Sequence, residues 1–306
     1  VYKRQPQARR RLKFIAHVMI PRHVLQVGAL YGSTVLGVVL GVVVSAVNTE
    51  ALGAQGYGDY KFVQNLIAIS LTVLTLGVFV SGGRLSAAWT DARRRRELAG
   101  TILVAVVVLW FILGVAILLF GILAADLFNQ AIGPLAIAVC GLVVGYPAQL
   151  SLENLLRGEN RIYQLGIQRV APSVLYLAVA FPMAEAGVLD VRRALFVYLG
   201  SLALATGAGF LMLRPRFTNF AHNASLLVAE VRAYGVHVYL GILAGVATLQ
   251  LAGVTIAYMH DTALVGFFLL AQSITLPLAT VATSVGVAFF RSFAHLSSIP
   301  TSLITW

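Results

Sequence analysis

Eight stretches of this 306-residue chain run without an Asp, Glu, Lys or Arg: residues 23–49, 62–83, 98–125, 127–152, 170–184, 194–213, 233–260 and 262–290. A helix rising ~1.5 Å per residue needs roughly 20 residues to cross ~30 Å of hydrocarbon. All but the fifth stretch reach that length, and the fifth does so if its helix begins near Ile162 and carries Arg169 in its first turns. A hydrophobic fraction of 59% and a mean hydropathy of +0.88 exclude an ordinary soluble domain. The expected fold is all-α, a polytopic bundle of membrane helices.

The formal net charge of +11 would fit a nucleic-acid binder if the cations were clustered on one surface, but they alternate between the gaps. With the amino terminus placed in the cytoplasm, 19 of the 22 Lys and Arg fall on the cytoplasmic side. Only Lys61, Arg192 and Arg193 fall outside, close to Glu50, Asp59, Glu185 and Asp190. That asymmetry is the positive-inside rule. It predicts a multi-pass protein of the cell (inner or plasma) membrane and makes nucleic acid an unneeded partner. Arg93–Arg96 read as topology anchors against anionic headgroups.

The spans group into a basic segment (1–22), a lobe of six helices (23–213), a cytoplasmic linker (214–232) and the beginning of a second lobe (233–306). Gly37, Gly41 and Ser45 share one face of the first span and predict close helix approach there. Residues 50–60 read as a short outer loop, with Tyr57 and Tyr60 in an interfacial aromatic belt. Asp126 and Asn129 mark the next outer turn, and residues 221–231 of the linker fit an amphipathic surface helix. Cys140 reads as a small packing residue in mid-helix, because one cysteine permits no internal disulfide. Gly58, Gly77 and Arg84 have counterparts at Gly266, Gly286 and Arg291. An offset of six spans preserves orientation, as in a parallel repeat. The apolar run beginning at the carboxy terminus predicts that the chain is part of a longer protein.

Three segments carry a family resemblance. Leu52-Gly53-Ala54-Gln55-Gly56-Tyr57-Gly58-Asp59-Tyr60 resembles the LGxxxyGxY loop after the first helix of polysaccharide-export flippases. Leu155-Leu156-Arg157-Gly158-Glu159-Asn160-Arg161-Ile162-Tyr163 resembles their LRGxxRF segment. The stretch from Val254 to Phe268 resembles their IgyflGxeaVGiY pattern. These are the Wzx-type (O-antigen and polysaccharide) members of the multidrug/oligosaccharidyl-lipid/polysaccharide superfamily. The resemblance implies two lobes around a central cavity, alternating access, and a polyprenyl-pyrophosphate-linked oligosaccharide as cargo. It also implies membrane lipids, a polysaccharide polymerase and glycosyltransferases as partners. Many relatives carry an acid in the middle of the seventh helix, where this chain reads Leu249-Gln250-Leu251-Ala252-Gly253.

No covalent chemistry is indicated, because the sequence lacks a P-loop, an H-E-x-x-H and a G-x-S-x-G. The expectation is a transporter rather than an enzyme, with no cofactor and no metal. Moving a diphosphate through hydrocarbon requires a polar or cationic path, and arginine suits phosphate through its paired donors. Arg84, Arg157 and Arg169 are therefore the candidate anion contacts, with headgroup anchoring as the other reading of Arg84. A Glu153–Arg157 ion pair spaced i,i+4 is the other reading of Arg157. Gln64, Asn65, Gln168 and Gln250 are candidates for hydrogen bonds to sugar hydroxyls, or alternatively for interhelical glue. Gln26 and His237 are weaker candidates. Two alternatives within the superfamily are a cation-coupled multidrug extruder and a lipid II-type flippase; a third is a non-transporting scaffold.

Overall fold

Apolar chain in a bilayer must satisfy its backbone within each segment, and the computed structural model resolves accordingly into helices. It describes residues 22–123, 131–272 and 275. In order these are α1 (Arg22–Leu74), α2 (Val78–Ala88), α3 (Ala92–Leu123), α4 (Ile132–Val139), α5 (Gly145–Gly158), α6 (Ile162–Glu185), α7 (Val191–Leu213), α8 (Phe220–Glu230), α9 (Val236–Met259) and α10 (Thr262–Gln272). No strand occurs among the described residues. The expected all-α membrane bundle is what forms. Asp126, Asn129, Gly286, Arg291, the segment 1–21 and the Gln26 side chain lie outside the described set.

The chain folds back within α1 at a single residue, Gly53, whose φ of 70° and ψ of 174° are not helical. Ser45 and Tyr57 would lie ~18 Å apart along a straight helix, yet the Tyr57 hydroxyl donates to Ser45 Oγ at 3.0 Å. Residues 22–52 and 54–74 are therefore two antiparallel rods. This corrects the expected outer loop at 50–60, which is helical apart from Gly53. It also removes Tyr57 and Tyr60 from an interfacial belt: they are 3% and 1% exposed, inside the bundle.

Other breaks follow the same logic of small residues in apolar runs. The second rod stops at Leu74 and resumes at Val78, turning through Leu76 (φ 45°) and Gly77 (φ 76°). The fourth span bends by 50° between residues 132–142 and 145–158. Cys140 therefore stands at the start of a tight turn, not in mid-helix. Pro172 and Pro182, by contrast, sit inside an unbroken α6. That helix starts at Ile162 and carries Arg169, as the sequence predicts.

By length and composition, α1, α3, α6, α7 and the run from α8 into α9 are candidate membrane spans among the described residues, with the bent α4–α5 pair as a sixth, and the fold-back at Gly53 divides α1 into two rods. The linker contains the expected helix, α8, but continues into α9 through one wide turn at Val231–Gly235, so linker and seventh span form one rod. Two apolar clusters fill the bundle. One gathers Leu30, Phe79, Leu98, Leu155, Ile162 and Leu213 toward the arginine-bearing end. The other gathers Tyr57, Tyr60, Leu113, Tyr176 and Leu195 toward the opposite end. Gly37 and Gly41 make no close approach to another described element; a side chain at either would meet nothing within 4 Å. The tight contact on this rod is made instead by Ser33, against Gly166 of α6.

The second rod and α9–α10 form a long antiparallel seam. At one end Thr262 Oγ1 accepts from Gln55 Nε2 and donates to Asp59 Oδ1, both at 2.6 Å. Farther along, Asn65 Nδ2 donates to the Gln250 carbonyl (3.0 Å) and the Tyr239 hydroxyl to the Val73 carbonyl (2.8 Å). Gly77 then abuts Gly235, and Arg84 meets Glu230. Gly58 and Gly266, paired by the internal repeat in the sequence, touch each other at the first end of this seam.

Candidate functional site

Three helices bring a compact charged cluster together inside the arginine-bearing end of the bundle. Arg169 lies seven residues into α6, which at ~1.5 Å per residue places it about 10 Å deep. Glu153 and Arg157 lie on the last turns of α5, one helical turn apart. Arg157 Nη2 meets Glu153 Oε2 at 2.8 Å, and Arg169 Nη2 approaches the same oxygen at 3.8 Å. Arg169 Nη1 donates to Thr34 Oγ1 of α1 at 2.8 Å. Thr34 in turn donates to the Leu30 carbonyl (2.9 Å), which fixes its lone pairs toward the arginine. Gln149 Nε2 lies 3.5 Å from the other carboxylate oxygen. All three charged side chains are less than a third exposed. One carboxylate thus serves two guanidiniums, and the cluster keeps an excess positive charge.

Gln168, next to Arg169, is buried, and its Nε2 has no hydrogen-bond partner. It faces a groove of about 800 Å³ between the first rod of α1, α6 and α7. Gln64 Nε2 and Gln250 Oε1 are likewise buried without partners. Gln250 and Asn65 meet at the α1–α9 seam, away from the arginine cluster, whereas Gln64 lies beside Tyr60. The sequence candidates therefore form two groups, Arg157, Arg169 and Gln168 on one side and Asn65 and Gln250 on the other, with Gln64 apart from both beside Tyr60.

Arg84 joins neither group. Its Nη1 meets Glu230 Oε1 at 2.5 Å and its guanidinium lies 4.4 Å over the Tyr234 ring. The side chain is 42% exposed, which limits the pair to about 1 kcal/mol with a comparable contribution from the ring. We expect a double-mutant cycle of Arg84→Gln and Glu230→Gln, read by thermal unfolding in detergent, to return a coupling of about 0.5–1 kcal/mol. A coupling of zero would remove this pair as a clasp between α2 and the linker. A second clasp stands beside it: Glu97, 4% exposed, accepts from Thr218 Oγ1 (2.9 Å) and Asn219 Nδ2 (3.1 Å). Of the tetra-arginine run, Arg93 pairs with Glu97 at 3.2 Å and Arg95 caps the Thr90 carbonyl at 3.3 Å.

Sequence reasoning missed Thr34, Glu230 and Tyr234 as partners of the arginines. It also missed a tyrosine cluster in the interior. Tyr198 lies edge-on to Tyr60, Tyr146 and Tyr176 with ring centres 6.1–6.4 Å apart, and Tyr176 donates to Asn48 Oδ1 at 2.6 Å. Its members come from four separate spans, and only the Tyr57–Tyr60 spacing was visible as a group in the chain.

No protein-family model matches the chain, and no curated protein matches it in sequence. Its architecture does match solved structures. The MATE multidrug transporter DinF-BH, solved with a bound ligand, superposes with a TM-score of 0.70 at 17% identity, over 89% of this chain and 64% of that one. The fold is that of a MATE transporter. A second solved structure, "protein A", agrees with a TM-score of 0.72 at 16% identity, over 90% of this chain and 65% of that one. The chain thus spans just under two thirds of the length of either structure. In this fold the arginine cluster, the groove beside it and the α1–α9 seam all belong to a multi-pass membrane protein.

Proposed function

We propose that this protein moves a polyprenyl-pyrophosphate-linked oligosaccharide between leaflets by alternating access, with Arg169 and Arg157 as contacts for the diphosphate. The observation that carries this reading is the sharing of Glu153 by two guanidiniums, one of them anchored on Thr34 deep in a span. A charge held inside a membrane bundle is costly unless it meets a partner, and an excess cation is matched by an anionic substrate. Guanidinium forks suit phosphate oxygens. The unpartnered amides of Gln168, Gln64 and Gln250 are available to sugar hydroxyls. The basic end faces the cytoplasm in this reading, and the polymerase and glycosyltransferases of polysaccharide assembly are the expected partners.

The second reading, a multidrug extruder, draws on the solved neighbour that carries that description. A net-positive cluster repels cationic drugs, which favours the anionic lipid. The test uses protein reconstituted in liposomes with a fluorescent polyprenyl-diphosphate oligosaccharide, read by quencher accessibility. The expected result is exchange between leaflets at least about tenfold faster than in protein-free liposomes. Export of a cationic dye without such exchange would replace this reading with the second. Orientation has its own check. In a Cys140→Ala background, a maleimide that cannot cross membranes should label Arg94→Cys only after the cells are opened; labelling of intact cells would invert the topology.

A further inference from the structure

The groove beside the arginine cluster combines features that a general packing defect would not share. Its wall on α6 runs from Ile162 to Leu175, about 20 Å at ~1.5 Å per residue, which exceeds half of the ~30 Å hydrocarbon core. Its volume of about 800 Å³ lies within the usual range of ligand sites. Ala29, Gly32, Ala171, Ala205 and Ala208 line it and leave notches rather than interlocking side chains. Its rims, Tyr163, Ile167, Leu204 and Met212, are apolar and more than half exposed, so the opening suits acyl or prenyl chains better than water.

Polar groups occur at one end of this groove. Arg161 Nη1 donates to Oε1 of the lining residue Gln164 at 3.3 Å, and Arg161 is itself paired with Glu159 at 2.7 Å. One turn farther in stands Gln168, only 5% exposed, with its Nε2 buried and unpartnered. Its Oε1 is turned toward Gly209, where a side chain would come within 3.0 Å of it. The amide N–H groups therefore need an acceptor that no described residue supplies, and leaving such a donor unmet costs about 1–3 kcal/mol.

We infer that this groove is the resting site of the substrate's prenyl tail in the inner leaflet. The diphosphate accepts from Gln168 Nε2 and faces Arg161, while the isoprenoid chain lies along α6 between α1 and α7. The lipid class is taken from the flippase reading above; the location is independent of it. A methyl-branched chain fits the notched wall, and the charge at one end sets which way the lipid enters. From that position the headgroup is next to Arg169, whose side chain reaches across to α1.

The test is photolabelling in phosphatidylcholine nanodiscs with farnesyl diphosphate bearing a diazirine on its tail. Cross-links are expected on peptides 28–36, 162–175 and 204–212, displaced by unlabelled geranylgeranyl diphosphate. Leu204→Trp and Ala208→Trp fill the groove from its exposed rim without entering the core; each should reduce labelling about tenfold while elution on gel filtration is unchanged. Gln168→Leu should reduce it about threefold or more. Undiminished labelling in both tryptophan variants overturns the proposal, as does equal displacement by phosphatidylglycerol, which would mark a site for bulk lipid. Leaflet exchange measured in parallel separates the two claims. Specific labelling without exchange keeps the groove and removes the flippase reading, whereas wild-type exchange in both tryptophan variants keeps the flippase and removes the groove.

Discussion

Gly77→Ala is expected to leave little folded protein, although it adds one methyl group to a turn between two apolar helices. Gly77 has a φ of 76°, a region that costs an L side chain about 1–2 kcal/mol. An added Cβ would also overlap the carbonyl group of Gly235. The reciprocal position offers no relief, since a Cβ on Gly235 would strike Ser81 Oγ and come within 3.0 Å of the Gly77 carbonyl. Backbone on both sides must move, and overpacking of that kind adds about 1–3 kcal/mol. The combined loss of about 2–5 kcal/mol is a large share of a typical stability of about 5–15 kcal/mol. Gly200→Ala is the matched control: it is helical, with nothing within 4 Å of the new methyl group, and alanine is favoured over glycine in helices by about 1 kcal/mol. Fluorescence-detected gel filtration and thermal unfolding in detergent should show Gly77→Ala aggregated or strongly destabilised and Gly200→Ala at least as stable as the parent. A Gly77→Ala protein that melts with the parent would mean that α2 and α9 do not meet at this point.

The same residue marks where the sequence stops being informative. An uncharged run states that a segment can lie in lipid and says nothing of whether its helix is continuous. The third, fifth, sixth and seventh spans were accordingly legible from charge spacing alone, including the start of α6 at Ile162. The first reversal was placed within residues 50–60 but not narrowed to Gly53, and the break at Gly77 was not legible, because glycine is frequent within membrane helices and so does not by itself mark their ends. Proline was no better a guide: Pro172 and Pro182 leave α6 intact. Tyr57 and Tyr60 were misplaced for a related reason. If residues 50–60 are a loop, tyrosines there belong at the interface; once the loop shrinks to Gly53, the same side chains point into the bundle.

In the candidate site, what is local was readable. Glu153 and Arg157 are four residues apart on one helix, and their pair was expected from that spacing. Arg169 was recognised because the fifth span is long enough only if it begins near Ile162 and so carries this residue in its first turns. Its partner Thr34 lies 135 residues away, and the partner of Arg84 lies 146 residues away. Nothing in the order of residues links such positions; only the packing of α1 on α6, and of α2 on the linker, brings them together.

The shared carboxylate supplies the sharpest prediction, because its two arginines are not equivalent to it. Removal of Arg169 leaves Glu153 paired with Arg157 at 2.8 Å, so Arg169→Ala should fold with only a minor loss of stability. Removal of the acid leaves two guanidiniums side by side with no counter-charge. Glu153→Ala should therefore lose about 2–3 kcal/mol, below the range for a fully buried pair because these groups keep some contact with solvent. Transport separates the two variants in the opposite sense. A hydrogen bond to a charged partner is worth about 1.5–3 kcal/mol, so Arg169→Ala should slow leaflet exchange of the polyprenyl-diphosphate oligosaccharide by about ten- to a hundredfold. Arg169→Lys keeps the charge but loses the fork, and should recover only part of that rate. A purely structural arginine predicts a different pattern: stability and exchange fall together, and lysine rescues both or neither. Exchange at the parental rate in Arg169→Ala, with the protein folded, would remove this residue from the path of the diphosphate.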